Sequence, residues 1–119
     1  MSRDRAAAER QGRRGETLAA WYLRLHGWQI VAQRCRVRGG EVDIVARRGR
    51  TLAFVEVKWR ASGADRDLAL DAWRLRRVSR AAEALAHRFA RADEDCRLDA
   101  ILLAPGRWPR HLKGLSAAP

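Results

Sequence analysis

Three side chains near the middle of the chain have the types and spacing for metal-assisted chemistry at a phosphate. Asp43 lies in Glu41-Val42-Asp43-Ile44-Val45, while Glu56 and Lys58 lie in Phe54-Val55-Glu56-Val57-Lys58-Trp59-Arg60. Neighbouring β-strands run about 4.8 Å apart, so carboxylates on one face of adjacent strands can share a cation. Mg²⁺ takes hard oxygen ligands and binds through one or two carboxylates, waters and a substrate phosphate, so Mg²⁺ (or Mn²⁺) is the expected cofactor. Lys58 is two residues past Glu56 and therefore on the same strand face. It supplies a compact ammonium for a phosphate oxygen or a metal-bound water. Two acids and a lysine beside a phosphate describe metal-assisted phosphodiester hydrolysis. Acid and lysine also alternate on any half-solvated strand, so the pattern alone is weak. Two features favour the chemical reading. The neighbours Ile44, Val45, Leu52, Phe54, Val55 and Val57 are strongly apolar, and Lys58 is one of two lysines in a chain with 23 arginines.

The elements that must position these groups follow from periodicity. Val42 and Ile44 are expected on one face of their strand, opposite Glu41 and Asp43. In the run 51–60, Val55, Val57 and Trp59 point one way and Phe54, Glu56, Lys58 and Arg60 the other. The short link Arg47-Arg48-Gly49-Arg50 makes the two runs an antiparallel hairpin. Before them, Leu18, Trp21, Tyr22 and Leu25 recur at helical spacing and predict a buried stripe on a helix from Gly12, with Gly27 just past its end. Trp28–Ala32 reads as a first strand, followed by a basic turn over Arg34–Gly40. After a polar loop, a long helix is expected over 68–92, with Leu75, Val78, Ala82, Leu85 and Phe89 buried. Leu98–Leu103 reads as a buried strand, and His111-Leu112 as a short edge strand. The order α-β-β-β-α-β gives a small mixed α/β sheet flanked by helices on both faces. Residues 1–11 read as a loose or frayed helical arm, and residues 12–119 as one domain.

Whole-chain arithmetic narrows the function. The 119 residues carry 25 basic against 14 acidic side chains, a net charge of +11, which points to a polyanionic partner. No apolar run is long enough for a membrane span, and Met1–Arg14 has no apolar signal region, so a cytoplasmic protein with no membrane partner is expected. Cys35 and Cys96 have no metal-binding spacing. Trp21, Trp28 and Trp59 are assigned to the core, leaving Trp73 and Trp108 as candidates for base stacking. His26, His87 and His111 receive no role.

The segments Gly15-Glu16, Gly39-Gly40-Glu41-Val42-Asp43-Ile44-Val45 and Phe54-Val55-Glu56-Val57-Lys58-Trp59-Arg60 resemble the YraN-like bacterial proteins, a largely uncharacterised family. That family is similar to restriction-endonuclease-like nucleases of the PD-(D/E)XK type, including Holliday-junction resolvases. The resemblance extends from Gly12 to Leu103. It implies a restriction-endonuclease-like fold with Asp43, Glu56 and Lys58 as the catalytic set. It also implies Asp43, Glu56 and the Val57 backbone carbonyl as metal ligands. Glu16 matches an acid that resolvase-like members place beside the metal; its plainer reading is a first-turn Glu favoured by the helix dipole. Glu41 is either an accessory acid or a turn-proximal structural residue. Val42 stands where the motif's name has Pro.

The expected activity is divalent-metal-dependent cleavage of DNA, branched DNA included, by a chain that works as a monomer or a homodimer. Arg13, Arg14, Arg34, Arg36, Arg38, Arg60, Arg74 and Arg77 are the expected phosphate contacts, which position a duplex without reading its sequence. The rival expectation is a non-catalytic nucleic-acid-binding module with the same fold.

Overall fold

The computed structural model describes residues 3–59 and 72–115, with side chains for 5–59 and 76–115. Arg60, the loop 61–67, the expected helix start at Leu68 and the side chains of Trp73, Arg74 and Leu75 lie outside the described residues.

Helix α1 spans Arg3–Leu25, so helical structure runs unbroken through Gly12 and across the expected boundary between arm and domain. Its C-terminus closes as a Schellman motif. Trp28 N–H donates to Leu23 O at 2.9 Å and Gly27 N–H to Arg24 O at 3.1 Å, with Gly27 at φ 87°. Of the expected stripe, Tyr22 alone packs against the core; the buried face is centred elsewhere. Ala19, Ala20 and Leu23 are buried, whereas Leu18, Trp21 and Leu25 are 46%, 57% and 79% exposed. Size decided between two faces of equal period. The Gly15–Ala19–Ala20 side lets α1 settle close to the sheet, and a Cβ at Gly15 would stand 2.7 Å from Trp59 Nε1. That indole donates to Gln11 O at 2.9 Å, so the helix backbone itself rests on β3.

Five strands form one sheet in the order β1-β2-β3-β4-β5, with β1 over Gln29–Val37, β2 over Gly40–Arg48, β3 over Thr51–Trp59, β4 over Asp95–Leu103 and β5 over Arg110–Leu112. All pairings are antiparallel except β3 with β4, which are parallel and joined by a crossover through α2, Ala72–Phe89. The two helices cover opposite faces. Ile44, Ala46, Ala53, Val55, Ile101 and Leu103 pack with the buried side of α1. Val42, Val45, Leu52 and Phe54 pack with Val78, Ala81 and Leu85 of α2. The mixed α/β architecture with helices on both sides and a short last strand is therefore as expected.

One strand breaks the expected alternation. Val42 belongs to the α2-side core and Ile44 to the α1-side core, so they do not share a face. The ribbon rolls at Asp43. Across the ladder, Gln33 pairs with Ile44 and Cys35 with Val42, so Arg34 stands opposite Asp43, and Arg34 has φ 55°. A left-handed residue in a strand redirects its neighbours, at a cost of roughly 1–2 kcal/mol for a side chain with a Cβ.

Candidate active site

The β2–β3 ladder runs from Arg48↔Thr51 to Ile44↔Val55 and stops there. Asp43 and Glu56 would form the next opposed pair. Instead, Val57 N–H donates to Asp43 Oδ2 at 2.8 Å, and a side chain takes over from the backbone where the strands part. The expected hairpin thus places Asp43 beside Glu56 at a fork in the sheet. Val57 and Trp59 pack on the α1 side, which turns Glu56 and the half-buried Lys58 towards the α2 side of β3, as their alternation predicted.

The electrostatics at the fork are those of crowded acids. Burial pushes the Asp43 carboxyl up to about 7, and the negative charge of Glu56 adds to the rise. The Val57 hydrogen bond opposes it, and Glu16 and Glu41 raise it further. Three carboxylates, from α1, β2 and β3, therefore act on Asp43. Glu56 Oε1 is buried and accepts no hydrogen bond, although Glu56 itself interacts with Asp43. These donors are hard oxygens, the chemistry that suits Mg²⁺ or Mn²⁺. Among the described residues no three His, Cys, Asp or Glu side chains close a metal site by themselves. A cation here would be held by Asp43 and Glu56 with the Val57 carbonyl and waters, the sparse protein ligation that Mg²⁺ accepts.

Glu16 lies thirteen residues into α1, well beyond the first turn, so the helix dipole does not explain it. Its carboxylate is gripped by Arg34, whose Nε donates to Oε1 at 3.2 Å and to Oε2 at 3.1 Å, with Nη2 3.1 Å from Oε2. Glu41 pairs with Arg36 at 3.4 Å and lines the same cleft as Glu16.

The arginines divide by location. Arg13, Arg34 and Arg36 line one cleft of about 380 Å³ with Glu9, Gly12, Glu16 and Glu41. Arg14 lines a separate depression with Ala7, Ala8, Arg10 and Gln11. Arg38 is exposed in the β1–β2 turn, and Arg77, on α2, donates to Gly39 O at 3.4 Å. Arg60 and the side chain of Arg74 lie outside the described residues. Trp28 is core, flanked by Arg48 and Arg97 at 5.1 and 5.5 Å from its ring centroid. Trp59 is half-buried against the α1-side core, while Trp21, expected inside, is on the surface. Trp108 is 89% exposed.

Asp99 escaped the sequence reading. It is fully buried on β4 and accepts from Arg97 Nε and Nη2 at 2.8 and 2.9 Å and from Gly114 N–H at 3.0 Å; His111 Nε2 lies 2.8 Å away. Burial alone would raise its carboxyl, but the hydrogen bonds from His111, Arg97 and Gly114 hold it at about 2. An acid inside the apolar run Leu98–Leu103 was the available signal, because a buried charge requires partners. Its work is to fasten β5 and the segment after it to β4.

The fold and the fork define a mixed α/β protein with an acidic centre where two strands diverge and arginine–glutamate pairs beside it. The chain belongs to the uncharacterised protein family UPF0102, whose model matches residues 15–103. It is 68% identical to a UPF0102 protein of Sphingopyxis alaskensis over 108 residues, covering 91% of this chain and 93% of the relative. It is 60% identical to one of Rhizorhabdus wittichii, covering 91% and 92%, and 56% identical to one of Erythrobacter litoralis, covering 91% and 93%. The uncharacterised bacterial family expected from the Gly-Gly-Glu-Val-Asp and Phe-Val-Glu-Val-Lys segments is thereby borne out.

Proposed function

We propose that this protein is a divalent-metal-dependent DNA endonuclease of restriction-endonuclease-like fold. The observation that carries the reading is the fork itself: Asp43 and Glu56 meet where the β2–β3 ladder ends, and Glu56 helps burial raise the Asp43 carboxyl to about 7. Carboxylates crowded in this way favour a divalent cation over a second proton. Asp43 and Glu56 would hold the ion with the Val57 carbonyl, and the ion would supply an acidified water and neutralise charge on the phosphate. Lys58, on the strand face of Glu56, holds a phosphate oxygen and orients the attacking water. The arginines along the cleft position the sugar–phosphate backbone. Two copies acting together would suit a branched substrate, with one active centre per strand.

The decisive experiment is cleavage of linear, flapped and branched DNA in Mg²⁺ or Mn²⁺ by the wild type, Asp43→Ala and Glu56→Ala. Cleavage by the wild type should fall at least 100-fold in either variant, the order expected when a group acting at the transition state is removed. Equal cleavage by all three proteins would identify a contaminant and end the proposal.

A second reading has its own support, because Arg34 occupies the Glu16 carboxylate and no three-ligand cluster closes among the described residues. It is a nucleic-acid-binding module of the same fold. It requires affinity that is indifferent to chelators and to Lys58→Ala, with no cleavage of any substrate.

A further inference from the structure

We infer that Arg34 is a lock on the cation site: it occupies the Glu16 carboxylate, withholding those oxygens from a cation at Asp43 and Glu56, until a nucleic-acid phosphate takes the guanidinium in exchange. The lock presupposes that Asp43 and Glu56 are cation ligands and adds how their site is switched.

Three observations converge on Arg34. Its backbone is left-handed in the middle of β1, at the position facing Asp43 across the ladder. A side chain with a Cβ keeps such a conformation only where its surroundings impose it, and this is the only non-glycine residue with positive φ among the described residues. Its guanidinium then grips both Glu16 oxygens, a forked geometry open to arginine and closed to lysine. Finally, the Arg34 side chain is 42% exposed while that of Glu16 is 12% exposed. An anion in the cleft therefore reaches the guanidinium without displacing α1, whereas Glu16 is covered.

Carboxylate and phosphate compete for the same fork, and phosphate presents more acceptor oxygens. Arg13 and Arg36 line the same cleft and would hold the adjoining backbone. Once released, Glu16 brings a further negative charge to a centre it already influences through Asp43. The cation then binds more tightly when nucleic acid is present, and by linkage the nucleic acid binds more tightly when the cation is present.

Mn²⁺ binding to the full chain, without DNA, tests the lock by isothermal titration. The variant of choice is Arg34→Gly, because glycine adopts positive φ without strain. Arg34→Lys, which keeps the charge but loses the fork, is the second variant, and circular dichroism checks that each is folded. Arg34→Gly should bind Mn²⁺ about tenfold more tightly than the wild type, as one added charge near a surface cation predicts. Glu16→Gln should bind Mn²⁺ no more tightly than the wild type, and Arg34→Gly/Glu16→Gln should lose the gain that Arg34→Gly shows. A DNA duplex added with Ca²⁺, its integrity checked by gel, should tighten Ca²⁺ binding in the wild type and leave Arg34→Gly unchanged. If Asp43→Asn abolishes Mn²⁺ binding but the Arg34 variants bind like the wild type, the cation site stands and the lock is wrong. If no variant, wild type included, binds Mn²⁺, both fall.

Discussion

A carboxyl group half-buried between diverging strands and beside another acid keeps its proton more tightly in the folded protein than in the unfolded chain. For Asp43 the ordinary value of 3.8 rises to about 7, with burial the largest cause and Glu56 the next. Folding therefore takes up a proton between about pH 4 and pH 7. The stability this group contributes is complete below pH 4 and is lost as pH rises through 7. Asp43→Asn keeps an oxygen for the Val57 N–H and removes the charge. Chemical denaturation at steps from pH 4 to 8 should show the wild type losing stability relative to Asp43→Asn, by about 1–3 kcal/mol at the upper end. A constant difference across that range would mean that Asp43 is an ordinary exposed acid. The instability at neutral pH is the cost of keeping acids crowded, and a bound cation would relieve it.

At the scale of elements, two joints hold the site's frame. The first is the crossing of β2 and α2, where Gly40 lies so close to the helix that a Cβ would run into the Arg77 carbonyl. The obstacle is backbone, which cannot rotate aside. Gly40→Ala should cost about 2 kcal/mol or more in denaturant unfolding, and a variant as stable as the wild type would show that α2 is free to shift. The second joint is the buried Asp99 with Arg97, His111 and Gly114, which ties β5 to β4. Its carboxyl is held at about 2 in the folded protein, so its contribution is present above about pH 4 and is lost as pH falls through 2. Asp99→Asn should destabilise the protein by about 3 kcal/mol at pH 7 and flatten the acid limb of the stability curve. Hydrogen exchange should show the amides of Arg110–Leu112 opening first in that variant.

At the scale of the molecule, the net charge of +11 favours a polyanion, and the cleft beside the acidic centre sets three arginines among three glutamates. Arg13, Arg34 and Arg36 share a cleft with acids already in ion pairs, so a nucleic acid must exchange partners there as well as displace counterions. If those three arginines each take one phosphate, log affinity for duplex DNA should fall against log salt with a slope of about −3. A slope near zero would exclude backbone contacts. Among the described residues no helix is long and apolar enough to cross a membrane. The outward side of α1 carries the large exposed residues Leu18, Trp21 and Leu25, with Arg24 over the Trp21 ring at 5.3 Å.

The sequence alone determined the order of elements and the β2–β3 hairpin that brings Asp43 near Glu56, because apolar runs and a short turn are local properties. The bacterial family was legible for the same reason, since its motifs are short contiguous strings. Which face of α1 points inward was decided only in three dimensions: Gly15, Ala19 and Ala20 have the same period as Leu18, Trp21 and Leu25, and only the sheet's demand for close approach separates them. The roll of β2 at Asp43, the grip of Arg34 on Glu16 and the partners of Asp99 were likewise beyond sequence. Each joins residues distant in the chain, and no local periodicity encodes a contact between side chains that meet only after the sheet has closed.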